Sequence, residues 1–201
     1  MAYLSNDEPL SKHSQIDAAR HLAALHNVGS DHFGFSADTV IGPLAQLNPL
    51  SKQWIPFFRE HRLLYMADLA ADAGHLPAAM RTRILKFADH LGDYLNEPDQ
   101  PSLIHGDLWT GNVLCSKGKI SGFIDPAIYF GNAEMDLAYS TLFATFGDPF
   151  FNAYQELRPI QPGFFDDRRN IYNLYPLLVH VRLFGGHYVD SVDSTLRRFG
   201  F

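Results

Sequence analysis

The sequence predicts an α+β fold, mostly helical, in which a small β-hairpin presents loops. Three observations carry that prediction. Apolar residues recur at helical spacing through most of the 201 residues, the period gives way to brief apolar runs between about residues 102 and 125, and helical spacing then returns. No internal repeat or low-complexity stretch divides the chain, so residues 1–201 read as a single domain.

Residues 14–27 place Ile16, Ala19, Leu22, Ala23 and His26 on one helical face, and Gly29 follows as a stop. The stretch "FGFSADTVIGPLAQLNPL" is rich in Gly, Pro and Asn without a lasting period, which predicts an irregular connection. Two helices are expected near 51–73 and 77–95, the second carrying Met80, Ile84, Phe87, Leu91 and Tyr94 at helical spacing. The short runs "SLIH", "NVLC" and "KISGFID" predict strands, with "SKGK" as the turn between the last two. Beyond Asp125, "EMDLAYSTLFATF" is helical and is stopped by Gly147 and Pro149. A last helical segment spans about 163–199, where Pro176 is expected to cause a kink because it removes an i−4 hydrogen bond.

Composition narrows the partners. With 46% hydrophobic and 19% charged residues the chain falls among soluble globular proteins able to bury one sizeable core. The 22 acidic and 16 basic residues give a formal net charge of −6 with no basic run, which argues against nucleic acid. The single cysteine, Cys115, cannot form an internal disulfide, and a reducing, cytoplasmic setting fits. "MAYLSNDEPLSK" has no basic n-region or apolar h-region and does not read as a signal peptide. "LYPLLVHVRLFGG" is broken by Pro176, His180 and Arg182, well short of the ~20 apolar residues that span a bilayer, so no membrane partner is expected.

The chemistry concentrates in "HGDLWTGNVLC", residues 105–115. Asp107 follows one predicted strand, Asn112 opens the next, and Asp125 closes the hairpin, so three oxygen-bearing side chains are expected at one end of the β element. Phosphoryl transfer needs such a set: a group that orients the acceptor hydroxyl and takes its proton, and hard oxygen ligands for magnesium. The spacing H-x-D-x-x-x-x-N followed by a strand-terminal Asp matches a kinase catalytic loop and its metal-binding Asp, with "HGD" and "IDP" as the two signatures. Asp107 is then the base or orienting group, Asn112 holds one magnesium, and Asp125 bridges metal to the phosphates. His105 is expected to be structural, its ring tying the loop to the strand that bears Asp125. A lone Asp before a loop is more commonly a turn or capping residue; the pairing with Asn112 and Asp125 sets Asp107 apart. Competing chemistries are poorly served: there is no G-x-S-x-G, C-x-x-C or H-E-x-x-H, and His21 and His26 are poorly spaced for zinc.

On these residues the chain resembles the aminoglycoside-phosphotransferase-like kinases, and within them the fructosamine kinase (ketosamine 3-kinase) family. "LIHGDLWTGNV", with Trp109, and "IDPAIYFGNAEMDLA" carry the likeness, joined by "FGFSADTVIGPLAQLN", "WIPFFREHRL", "FFNAYQELRPIQPGF" and "LYPLLVHVRLFGG". The resemblance covers almost the whole chain. It implies a protein-kinase-like C-lobe that uses ATP and Mg2+ to phosphorylate a sugar hydroxyl of a small glycated amine. It also implies that Asp136 fixes the catalytic-loop backbone from below, a role compatible with that of an acid at a helix N-terminus. Trp109 is open to two roles, a flat surface for the substrate or packing. Arg62 and His180 are acceptor-side candidates. Departures from the family pattern lie at Thr39, Val40, Pro176, Val179 and Arg182.

The resemblance further implies that the glycine-rich loop, strand Lys and partner Glu of a kinase N-lobe are missing, and that "MAYLS", residues 1–5, is the remnant of the hinge. Tyr3 and Leu4 are the expected contacts for the adenine. On this expectation the chain alone is a poor kinase. Two readings of different class follow: a ketosamine-type kinase, or an aminoglycoside- or choline-type relative with another acceptor; and a non-catalytic remnant that binds a ligand or partner. The surface opposite a missing lobe is a candidate for self-association.

Overall fold

A computed structural model describes residues 4–201. Helix α1 (Lys12–His26) starts from a capping box in which Ser11 Oγ accepts the Ser14 N–H at 3.2 Å and Ser14 Oγ accepts the Ser11 N–H at 2.8 Å. The stretch expected to be irregular instead forms a short antiparallel ribbon, β1 (Thr39–Ile41) with β2 (Leu44–Gln46). Helix α2 (Trp54–Phe58) passes through a π-helical turn, Arg59–Leu64, into α3 (Tyr65–Asp72), and α4 spans Ala78–Ala88.

The central strands depart from a single hairpin. Strands β3 (Ser102–Ile104), β4 (Val113–Ser116) and β5 (Lys119–Phe123) all form, and β4 pairs with β5 around Lys117 and Gly118. Both turn residues have positive φ, 53° and 69°, the twist a two-residue hairpin turn needs. Strand β3, however, pairs with a strand that local pattern did not reveal, β6 (Tyr129–Gly131). The two ribbons are therefore separate, and residues 105–112 cross between them.

Helix α5 (Glu134–Leu142) follows directly. Gly147 and Pro149 were expected to end a helix; they begin one, α6 (Asp148–Leu157), with Gly147 as its N-cap and Pro149 in the first turn, where a missing N–H costs nothing. Helix α7 (Arg169–Phe184) runs on through Pro176, and the break comes at Gly185 and Gly186, with φ of 61° and 62°, before α8 (Tyr188–Arg198).

Helix α7 is the axis of the core: α3, α5 and α8 pack on it, while α6 packs on α1. Trp54, Phe57, Phe58 and Tyr172 are fully buried together, and Trp54 Nε1 donates to Tyr172 Oη at 3.1 Å. Each such ring contributes roughly 1.5–3 kcal/mol by leaving water. Among the described residues no helix is long and apolar enough to cross a membrane. This packing holds α5 under the β3–β4 loop and the β4–β5 hairpin over α1, where Asp17 Oδ2 accepts the Ile120 N–H at 3.0 Å.

Candidate active site

The loop from His105 to Asn112 is held from beneath by one side chain. Asp136, in the first turn of α5, accepts the His105 N–H on Oδ2 at 2.7 Å and the Gly106 N–H on Oδ1 at 2.8 Å. Its Oδ2 also meets His26 Nε2 at 3.1 Å, and His26 Nδ1 lies 2.7 Å from Tyr154 Oη. Asp136 is wholly buried. Burial alone would raise its pKa, but the His26 hydrogen bond, the nearby His26 and His105 rings and the Gly106 N–H outweigh it and hold the carboxyl below its ordinary range. Gly106 has φ of 82°, and a Cβ there would stand 2.1 Å from the Ala127 carbonyl oxygen, so the loop requires glycine at this point.

From that base the loop turns upward. His105 Nε2 donates to the Ile124 carbonyl at 3.0 Å, and its Nδ1 accepts the Asp107 N–H at 3.3 Å. Asn112 Nδ2 donates to both the backbone carbonyl and Oδ2 of Asp107, each at 2.8 Å. The carbonyl of Asn112 accepts the Ile124 N–H at 3.0 Å, which sets Asp125 beside the end of β4. Asp107 is half-buried, Asn112 is buried and Asp125 is exposed. Among the described residues, Asn112 Oδ1 accepts no hydrogen bond and Asp125 has neither a hydrogen bond nor an ion pair. Two side chains with hard oxygens are thus left with oxygens uncommitted. That donor chemistry fits magnesium, which takes one or two protein oxygens and completes its shell with water and phosphate. Among the described residues no trio of His, Cys, Asp or Glu is placed to hold an ion.

Tyr139 was not singled out in the sequence, although it shares a helix face with Asp136 at i, i+3 in "EMDLAYSTL". Burial, then the charge of nearby Asp107, pushes its hydroxyl far above the ordinary tyrosine range. It therefore stays protonated beside Asp107. His26 was read as a packing residue and as poorly spaced for zinc, not as a support of the loop; a polar side chain on an otherwise apolar face was the available signal.

The remaining candidates separate. Trp109 is 39% exposed, with its ring so close over Gly111 that a Cβ there would come within 2.4 Å of it. It meets Phe143 edge-on at 6.0 Å, and Phe143 in turn lies 5.2 Å from the His180 ring, so Trp109 and His180 border one aromatic wall. Arg62 does not reach this wall. It is fully buried, with Nη1 donating to the Leu47 and His61 carbonyls, Nη2 donating to Asn48 Oδ1 at 2.6 Å, and its guanidinium 3.9 Å over Tyr129. No acceptor can touch it there. Leu4 lies against Gly122 of β5, and Tyr3 falls outside the described residues. Two cavities of about 510 and 530 Å³ are lined by other residues than Asp107, Asn112 and Asp125.

The comparisons decide what this geometry is kin to. The family model described as fructosamine kinase matches residues 1–199. The chain belongs to the fructosamine kinase family. A protein of Enterococcus faecium described as a ketoamine kinase is 38% identical over 190 residues, 94% of this chain and 68% of that one. A crystal structure from Thermobifida fusca, described as a fructosamine-3-kinase, has a TM-score of 0.89 at 36% identity and covers 98% of this chain and 69% of its own. An aminoglycoside phosphotransferase structure at 15% identity, with a TM-score of 0.64 over 99% of this chain and 71% of its own, shares the fold alone. The mostly helical, kinase-like fold is thereby established. The expectation that an N-lobe is missing gains no support, because the matches run the length of this fructosamine kinase family member. The chain spans about three fifths to two thirds of the length of the curated relatives it matches.

Proposed function

We propose that the chain carries the catalytic and cation-binding groups of an ATP-dependent kinase that phosphorylates a sugar hydroxyl of a glycated amine. One observation supports this most directly: both hydrogens of the Asn112 amide go to Asp107, which aims Asn112 Oδ1 away from the loop and leaves it, with Asp125, uncommitted. Asp107 orients the acceptor hydroxyl and takes its proton; the amide of Asn112 fixes the carboxylate for that task. Asn112 and Asp125 would hold Mg2+, which when bound neutralises charge on the phosphate oxygens. Asp136 keeps the loop in shape from below without touching a reactant. Trp109 and His180 line the acceptor side, while Arg62 acts through the core. Leu4, with Tyr3, is the candidate contact for the adenine. Kinship with kinases along the whole chain does not favour the non-catalytic alternative.

The test is phosphate transfer itself. Incubated with ATP, Mg2+ and a fructosylated amine, the protein should form a phosphate ester on the sugar, followed by phosphorus NMR, and chelation of the metal or Asp125→Ala should abolish it. ADP release that is the same with the glycated and the unmodified amine would count against the acceptor assignment.

A further inference from the structure

The segment carrying Asp125 leaves β5 at Phe123 and joins β6 only at Tyr129, with no regular structure between. It is suspended at both ends. On one side the catalytic loop ties Ile124 through the Asn112 carbonyl and His105 Nε2, each at 3.0 Å. On the other side the β1–β2 ribbon ties it through side chains: Gln46 Nε2 donates to the Ala127 carbonyl at 2.9 Å, and Thr39 Oγ1 donates to the Ile128 carbonyl at 3.4 Å. Asp125 itself has φ of 50°, left-handed backbone that a residue with a Cβ adopts at a cost. Its exposed side chain has no partner among the described residues, so the backbone anchors are what set the point from which its carboxylate projects.

Gln46 is wholly buried and wholly satisfied. Its amide hydrogens go to Ala127 O and Thr39 Oγ1, both at 2.9 Å, and its Oε1 accepts the Tyr175 hydroxyl at 2.8 Å. Thr39 Oγ1 also accepts from Asn48 Nδ2 at 2.9 Å, and Asn48 Oδ1 accepts from Arg62. The buried arginine is thus the far end of a polar chain whose near end grips the Asp125 segment. Burying such a chain is unfavourable, the more so as Arg62 Nε has no partner among the described residues, and apolar packing would join the ribbon to the core as well. What apolar packing would not do is fix a carbonyl to a few tenths of an ångström. The Ala127 carbonyl is also the atom against which Gly106 of the catalytic loop is pressed.

We propose that Gln46 is a positioning residue for the cation site: by fixing the Ala127 carbonyl it sets Asp125 relative to Asn112. The inference rests on the reading of Asp125 and Asn112 as cation ligands. Calorimetric titration of Mn2+ into the protein with ATP present tests it, with Asp125→Ala as reference. Gln46→Leu should weaken Mn2+ binding roughly tenfold, the scale on which groups that orient metal ligands act, and should raise the Mg2+ concentration for half-maximal turnover while leaving the acceptor KM unchanged. Tyr175→Phe, which removes only the hydroxyl orienting Gln46, should shift Mn2+ affinity in the same direction by less, and carries the test if Gln46→Leu does not fold. If Asp125→Ala loses affinity while both other variants keep it, with only their melting temperatures lowered, Gln46 is structural and the proposal is overturned. If Asp125→Ala keeps wild-type affinity, the ligand reading fails and takes this inference with it.

Discussion

Asp125 and Asp136 are the same residue on opposite sides of one loop, and the structure treats them oppositely. Asp136 is wholly buried and accepts from two backbone N–H groups and from His26. Asp125 is exposed, sits on left-handed backbone and meets no partner among the described residues. Enclosure makes the first a structural member, because a wholly buried carboxylate that already accepts from three groups is out of a reactant's reach. Lack of such partners leaves the second free for the cation-binding role proposed above. Asp107 lies between the extremes, with one oxygen bound to the Asn112 amide and the carboxylate half-exposed.

The contrast is sharpest if activity and stability come apart. The largest effect belongs to Asp107→Ala, which should lower turnover roughly 10²–10⁴-fold if the carboxylate acts as a general base, while thermal melting changes little. Unchanged turnover in steady-state assays would remove Asp107 from the chemistry.

Asp136→Ala should do the reverse. It leaves two buried N–H groups and His26 without their acceptor, and losing one partner of a buried charged contact costs about 3–5 kcal/mol, measurable by urea unfolding. Activity falls with it because the loop loses its floor. The pH dependence has a definite sign. Since the folded carboxyl lies below its ordinary range, its contribution is present above the unfolded value of about 4 and is lost as pH falls below that toward the folded value. Wild-type protein should therefore lose more stability between pH 5 and 3 than Asp136→Asn. Equal losses would mean that Asp136 is not held ionised by the loop.

The same division explains what was legible in the sequence. Features fixed by neighbours in the chain could be read: the period of α1 and of α4 as far as Ala88, short of the expected end near residue 95, the "SKGK" turn, and the spacing that puts Asn112 within reach of Asp107. Features fixed by distant contacts could not. Strands β1 and β2 have three residues each, too few for a pattern, and β3 finds β6 only through tertiary packing. Pro149 was read as a stop because a proline ends one helix and opens another with the same chemistry. Arg62 was proposed for the acceptor side with the family resemblance; only packing reveals that Tyr129 and the Leu47 carbonyl enclose it. Tyr139 and His26 were overlooked for the same reason, since each acts through a side chain far away in sequence.

The smallest effect separates the two roles left open for Trp109. Its ring covers Gly111 and touches Phe143, which is packing, yet it remains 39% exposed, which packing alone does not require. An exposed aromatic face beside Asp107 can stack on a sugar or attract a protonated amine, with a gain of about 0.5–1 kcal/mol at an exposed site. Trp109→Ala should then raise the acceptor KM a few-fold, leave the ATP KM unchanged and alter stability by less than about 0.5 kcal/mol, as surface changes do. Were the ring chiefly packing, the pattern would invert: stability would drop and both KM values would stay put. Trp109→Phe distinguishes the two further, because a smaller ring keeps the π-face for the acceptor but gives up cover over Gly111.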